Sequence, residues 1–262
     1  MVDFDLFLLI SIGFFAFCGG LIDAAVGGGG LIQLPALLHA FPQHALATVF
    51  GTNKIAAISG TISSALAYFK KVRISWALIL PTMFAAFIFA FLGAMSVSFI
   101  PKEPMRYLVF FLLIIMAIYT FCKKDLGQIH TTLHAGKKEI FLGMLAGAVI
   151  GYYDGIFGPG TGSFLLFMFV KVFAFDFLHA SASAKLVNVA TNAAAILFFV
   201  PTGHVLWMIG LTLAMCNIFG SLAGTALALR YGSGFIRIFF LILLIFLIGR
   251  MGYDLFLSSA LS

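Results

Sequence analysis

Charge is scarce in this chain. Only 9% of its 262 residues are Asp, Glu, Lys or Arg, against about 25% in a typical soluble domain, so it cannot clothe a water-facing surface. Cysteine is scarce too. Cys18, Cys122 and Cys216 are scattered with no C-x-x-C spacing, which argues against a disulfide framework and a cysteine metal site. His39, His44 and His179 read as element-end residues, and their spacing gives no metal cluster. No G-x-x-x-x-G-K-[ST] motif is present, which disfavours ATP-driven transport by this chain. The opening "MVDFDLFLLISIGFFAFCGG" has two aspartates and no basic segment, so it does not read as a cleavable signal peptide.

Hydrophobicity is abundant, at 63% of residues. Continuous apolar runs of roughly 20 residues recur, long enough to cross a hydrocarbon core of about 30 Å. They do not alternate apolar with polar residues, which excludes a β-barrel. The expectation is an all-α polytopic membrane protein with the lipid bilayer as its surroundings. A net charge of +6 would point a soluble protein toward nucleic acid. Here Lys and Arg cluster in short loops, where they set topology, and no nucleic-acid partner is expected.

The few charges recur at one spacing. Asp154 follows Asp23 by 131 residues, Lys185 follows Lys54 by 131, and Trp207 follows Trp76, the only other tryptophan, by 131. Gly224 with Gly93 and Arg237 with Arg106 keep the same offset. The chain reads as one transmembrane domain, 1–262, made of repeat 1 (about 1–131) and repeat 2 (about 132–262). Each repeat holds five hydrophobic elements. The first (about Leu6–Val26, then Ile140–Phe157) ends in a glycine-rich break, and a short second follows (about Leu31–Leu46, then Ser163–Leu178). The third carries the lysine, the fourth starts near the tryptophan and the fifth near the matched arginine. The polar stretch "CKKDLGQIHTTLHAGKKE" links the halves.

If the short element crosses the membrane, the repeats are inverted. One face then holds nine loop cations (Lys70, Lys71, Arg73, Lys123, Lys124, Lys137, Lys138, Arg230, Arg237) and the other two, Lys102 and Arg106. If it only dips in and returns, the split is seven against four. The positive-inside rule prefers the stronger bias, so inverted repeats with both termini outside are expected.

Breaking a helix inside a bilayer strands backbone polar groups, which is tolerated mainly where they line a cavity. Matching breaks in two repeats are the best sequence pointer to a transporter site. Gly27, Gly28, Gly29 and Gly30 form one break; Gly158, Gly160, Thr161 and Gly162, in "GPGTG", form the other. New helices start after each, and a helix start attracts anions. Close helix packing is the alternative reading of such glycines. Asp23 and Asp154 are intramembrane carboxylates, read as proton carriers or substrate-site organisers, or else as caps of the broken backbone or partners of a lysine. Lys54 and Lys185 face a polar cavity or a carboxylate, or snorkel to the interface. Thr52 and Asn53 flank Lys54, while Asn188 and Asn192 share one helix face and can either hydrogen-bond an oxyanion or join helices. Cys18, five residues before Asp23, supports an alternative: a sulfur-trafficking protein or intramembrane enzyme. No neighbouring base is evident for it.

"GGLIDAAVGGGGLIQLPALL" with "ALATVFGTNKIAAISGT", and "GYYDGIFGPGTGSFLLFMFV" with "ASASAKLVNVATNAAAILFF", strongly resemble the two halves of the sulfite exporter TauE/SafE family, also called the toluene sulfonate uptake permease family. The resemblance covers nearly the whole chain. It implies a bacterial inner-membrane transporter, not an enzyme, whose substrate is a small anion such as sulfite, sulfoacetate or a sulfonate. No cofactor, metal or catalytic residue is implied. The family motifs fall on Asp23, Gly27 to Gly30, Thr52, Asn53 and Lys54, then on Asp154, Gly158, Pro159, Gly160, Gly162 and Lys185. Ala184 stands where the second repeat would carry the asparagine of "TNK", so the half-sites are not equivalent.

Overall fold

A computed structural model of the chain describes residues 6–100 and 136–231 throughout, with scattered positions at 104–121 and 238–253. Its described residues are all-helical, without strands. The helices are α1 (Leu6–Val26), α2 (Gly30–Ala40), α3 (Leu46–Phe69), α4 (Trp76–Ser96), α5 (Lys137–Ile156), α6 (Thr161–Lys171), α7 (Phe177–Phe199) and α8 (Trp207–Tyr231). A 3₁₀ turn, Val97–Phe99, follows α4. The expected fifth elements are described only at those scattered positions, and most of the linker lies outside the described residues.

Among the described residues, five helices (α1, α4, α5, α7 and α8) are long and apolar enough to cross a membrane. α3 has 24 residues, the right length, but its Thr, Ser, Asn and Lys residues make it more polar. α2 and α6 have 11 residues each. They are shorter than the apolar runs expected from sequence, because those runs continue past the helix ends. α2 stops before Pro42, whose ring disfavours helix in the residue ahead of it, and α7 starts afresh where Asp176 accepts a hydrogen bond from the His179 N–H.

Small residues decide which helices touch. Along α5, Gly143 and Gly147 lie against Thr82, Gly151 against Ala86 and Gly155 against Ala90. These glycines are four apart, on one face, and remove the side chains that would hold two backbones apart. Residue numbers rise together on both helices, so α4 and α5 run parallel. α1 and α8 do the same, with Gly13 beside Cys216, Gly220 beside Phe17 and Gly224 beside Leu21. α3 also runs parallel to α8: Gly210 lies by Thr52, and Asn217 by Gly60. By contrast α3 and α7 run antiparallel, since Thr48 near the start of α3 bonds His204 beyond the end of α7 at 3.2 Å. The sides turned away from these contacts carry exposed Phe7, Phe14, Phe84, Phe141 and Phe219, a surface suited to lipid.

Two breaks meet in the interior. α1 ends at Gly27, whose φ of +82° is the left-handed conformation that glycine adopts without steric cost. α2 then folds back against α1, bringing Gly29 and Gln33 to Gly19. α5 ends in the same manner at Gly158, φ +89°. The two turns touch: Ser163 N–H donates to Gly27 O at 2.9 Å, and Ser163 Oγ donates to Val26 O at 2.7 Å.

Candidate functional site

Each lysine meets an aspartate from the distant half of the chain. Lys54 Nζ, in the middle of α3, lies 2.8 Å from Asp154 Oδ2 in the last turn of α5. Lys185 Nζ, in the middle of α7, lies 2.7 Å from Asp23 Oδ2 in the last turn of α1, and it also donates to the Asp23 carbonyl. Both lysines are 3% exposed, so neither snorkels. The pairs are unequal in one respect. Asp154 is 2% exposed at its side chain, and beyond Lys54 its Oδ2 has no partner among the described residues. Asp23 is 17% exposed and accepts a second hydrogen bond from Thr61 Oγ1 at 3.4 Å.

A cavity of about 30 Å³ lies between these pairs, enough for water. Of the residues singled out from sequence, Asp23, Gly27, Gly29, Gly30, Asn53, Lys54, Asp154, Gly158, Gly160, Gly162, Asn188 and Asn192 line it. Both helix starts therefore border the cavity. Asn192 Nδ2 donates to Asn188 Oδ1 at 3.3 Å, and Asn53 Oδ1 has no partner among the described residues.

Four of the singled-out residues do not line it. Lys185 is turned onto Asp23. Gly28 accepts from Leu31 N–H at 3.0 Å, which closes the first turn of α2. Thr161 Oγ1 donates to Gly158 O at 2.7 Å, holding the second break. Thr52 Oγ1 donates to Thr48 O and accepts from Leu206 N–H at 2.9 Å, which fastens α3 to the loop before α8. Its hydroxyl is spent on that fastening. Cys18 is buried in the apolar core, away from the cavity. Gln33, Ala57, Thr61 and Asn217 also line the cavity and were not picked out from sequence. Their signal was present in the helical spacing: Ala57 and Thr61 follow Asn53 by one and two turns. The histidines lie at element ends as expected, with His39 in the last turn of α2 and His179 against Asp176 at 2.8 Å.

The sulfite exporter TauE/SafE family model matches residues 12–251. The chain belongs to the TauE/SafE family. It is 34% identical over 238 residues to a probable membrane transporter protein, ORF9, of a Sinorhizobium species, covering 90% of this chain and 89% of that one. With the probable membrane transporter protein YfcA of Escherichia coli K12 it shares 30% identity over 253 residues, 94% of this chain and 91% of the relative. A probable membrane transporter protein of Haemophilus influenzae is 30% identical over 251 residues, 94% of each chain. No solved structure matches it significantly. This TauE/SafE protein is thus a membrane transporter.

Proposed function

We propose that this TauE/SafE protein is a secondary transporter of small anions, sulfur-containing ones such as sulfite, sulfoacetate or sulfonates, in a bacterial inner membrane. The observation that carries this reading is the pair of buried lysines at the meeting point of two broken helices. In the resting arrangement each lysine is neutralised by an aspartate, so the site has no net charge. An anion with two or more oxygens takes the aspartate's place beside a lysine. The displaced aspartate, Asp23 or Asp154, is then the group that carries the coupled proton.

The same reading makes the chain a single transmembrane domain of two inverted five-element repeats that move by alternating access. Several observations support it. Helix starts at 6, 30, 46 and 76 recur at 137, 161, 177 and 207. The contacts of α1 with α8 match those of α5 with α4, and equivalent helices α3 and α7 run in opposite directions. Paired helix interruptions of this sort mark the substrate sites of repeat-built transporters.

Uptake of radiolabelled sulfite into proteoliposomes, with and without an imposed pH gradient and competed by sulfonates and carboxylates, tests the proposal. Saturable, gradient-stimulated flux is the expected result. Flux indifferent to pH would leave the anion site standing and remove the proton role of Asp23 and Asp154. Absence of flux for every anion would overturn the reading.

A further inference from the structure

Among the cavity groups that the exchange just described does not use, one is a buried donor without an acceptor. Gln33, at the end of the first turn of α2, is 2% exposed, and its Nε2 has no partner among the described residues. A primary amide offers one acceptor oxygen and one donor NH₂. Here the oxygen is already taken, because Asn217 Nδ2 donates to Gln33 Oε1 at 2.8 Å. The same Nδ2 donates to Ala16 O at 3.2 Å.

Asn217 is itself held on two sides. A methyl group at Gly60 would run into its Oδ1, and one at Gly20 would run into its backbone carbonyl. One turn further along α8, Ser221 Oγ donates to Gly60 O at 2.5 Å. With Asn217 presenting its NH₂ to Gln33, the glutamine can offer the cavity only its own NH₂. A buried donor lacking an acceptor is a standing cost, and a bound acceptor removes it.

We propose that Gln33 contacts the substrate, donating from Nε2 to an oxygen of the transported oxyanion, and that Asn217 is a positioning residue that keeps this donor facing the cavity. The inference rests on the anion-transport reading and adds a residue to it. The positions one repeat away are Phe164 and Ala86, so the device exists in one half only. On that other side Phe164 packs edge-on against Tyr153, with ring centroids 5.5 Å apart. The substrate is therefore gripped asymmetrically. One oxygen meets a neutral, oriented donor while the others meet a lysine.

The test is sulfite uptake by full-length protein in proteoliposomes, fitted for KM and Vmax, with sulfite protection against thermal unfolding in detergent as a second readout. Gln33→Met keeps the length and removes the donor. Losing one hydrogen bond to an anion should raise KM about tenfold, with Vmax within about twofold. Asn217→Asp leaves Gln33 intact but can no longer donate to it. The glutamine amide then turns its NH₂ toward the new carboxylate and its oxygen toward the cavity, and KM should rise at least as much. Asn217→Ala, which adds no charge, should raise KM less. In the double variant Gln33→Met with Asn217→Ala, KM should be no worse than in Gln33→Met alone, which a merely structural role for Asn217 would not give. An unchanged KM in Gln33→Met, beside saturable flux in the wild type, overturns this inference and leaves the transport reading intact. Wild-type protein that neither carries nor is stabilised by sulfite overturns both.

Discussion

Deleting a buried charge and deleting its partner with it should have opposite effects on stability and the same effect on transport. Lys54 and Asp154 are both nearly inaccessible and 2.8 Å apart, with no other partner for Asp154 Oδ2 among the described residues. Lys54→Met strands a buried carboxylate without its counter-charge, which costs about 3–5 kcal/mol. Lys54→Met with Asp154→Leu replaces the pair by apolar groups of similar length, and such swaps are typically neutral or stabilising by about 1–4 kcal/mol. Unfolding in detergent should therefore show a large loss for the single variant and recovery to within about 1 kcal/mol of wild type, or beyond, for the double. Sulfite flux, measured on proteoliposomes with equal amounts of inserted protein, should be abolished in both. The Asp23–Lys185 pair should give a smaller stability loss when Asp23 is changed to Asn, because Asp23 is partly exposed and Lys185 keeps the Asp23 carbonyl. Wild-type flux in the well-folded Lys54/Asp154 double variant would refute the reasoning and reduce the pair to scaffold.

Other outcomes can be checked separately. Gly27→Ala should destabilise the protein, since a left-handed residue with a Cβ costs about 1–2 kcal/mol and the methyl would also strike the Gly162 backbone; thermal unfolding in detergent reads this. Single cysteines at Lys71 and Val205, in a cysteine-free background, should react with an impermeant thiol reagent from opposite sides of the membrane. Labelling of both from one side would remove the inverted arrangement. Cys18→Ser should transport sulfite at wild-type rates, because the thiol is buried in the core and not in the cavity.

Much of this was legible in the chain because burying charge is expensive. Two lysines and two aspartates inside apolar runs had to be compensated somewhere, and the two glycine breaks marked where. Sequence also separated long from short helices, since Gly27 and Gly158 interrupt otherwise continuous hydrophobic stretches. What it could not fix was partnership. Nothing in the order of residues says that Lys54 meets Asp154 from the other half instead of Asp23 from its own. Thr52 could not be placed from sequence for a related reason: its neighbours Asn53 and Lys54 line the cavity, but its own hydroxyl bonds Leu206, 154 residues away. Gln33 and Asn217 escaped notice because a neutral amide in an apolar helix resembles ordinary interhelical glue, and only their mutual orientation exposes an unused donor.

The two lysine–aspartate pairs also bear on how the unloaded protein behaves in an energised membrane. Each pair sums to zero whether its proton sits on the nitrogen or the oxygen. In the alternating-access cycle proposed above, a substrate-free site rearranging across the bilayer would therefore carry no net charge through the electric field. Moving one uncompensated charge through 100 mV is worth about 2.3 kcal/mol, so unpaired lysines would have made the return stroke strongly voltage-dependent. With internal counter-ions in place, that proposed stroke should be indifferent to membrane potential. Any voltage sensitivity of that cycle would then belong to the loaded step, set by the charge of the cargo and of any protons that travel with it.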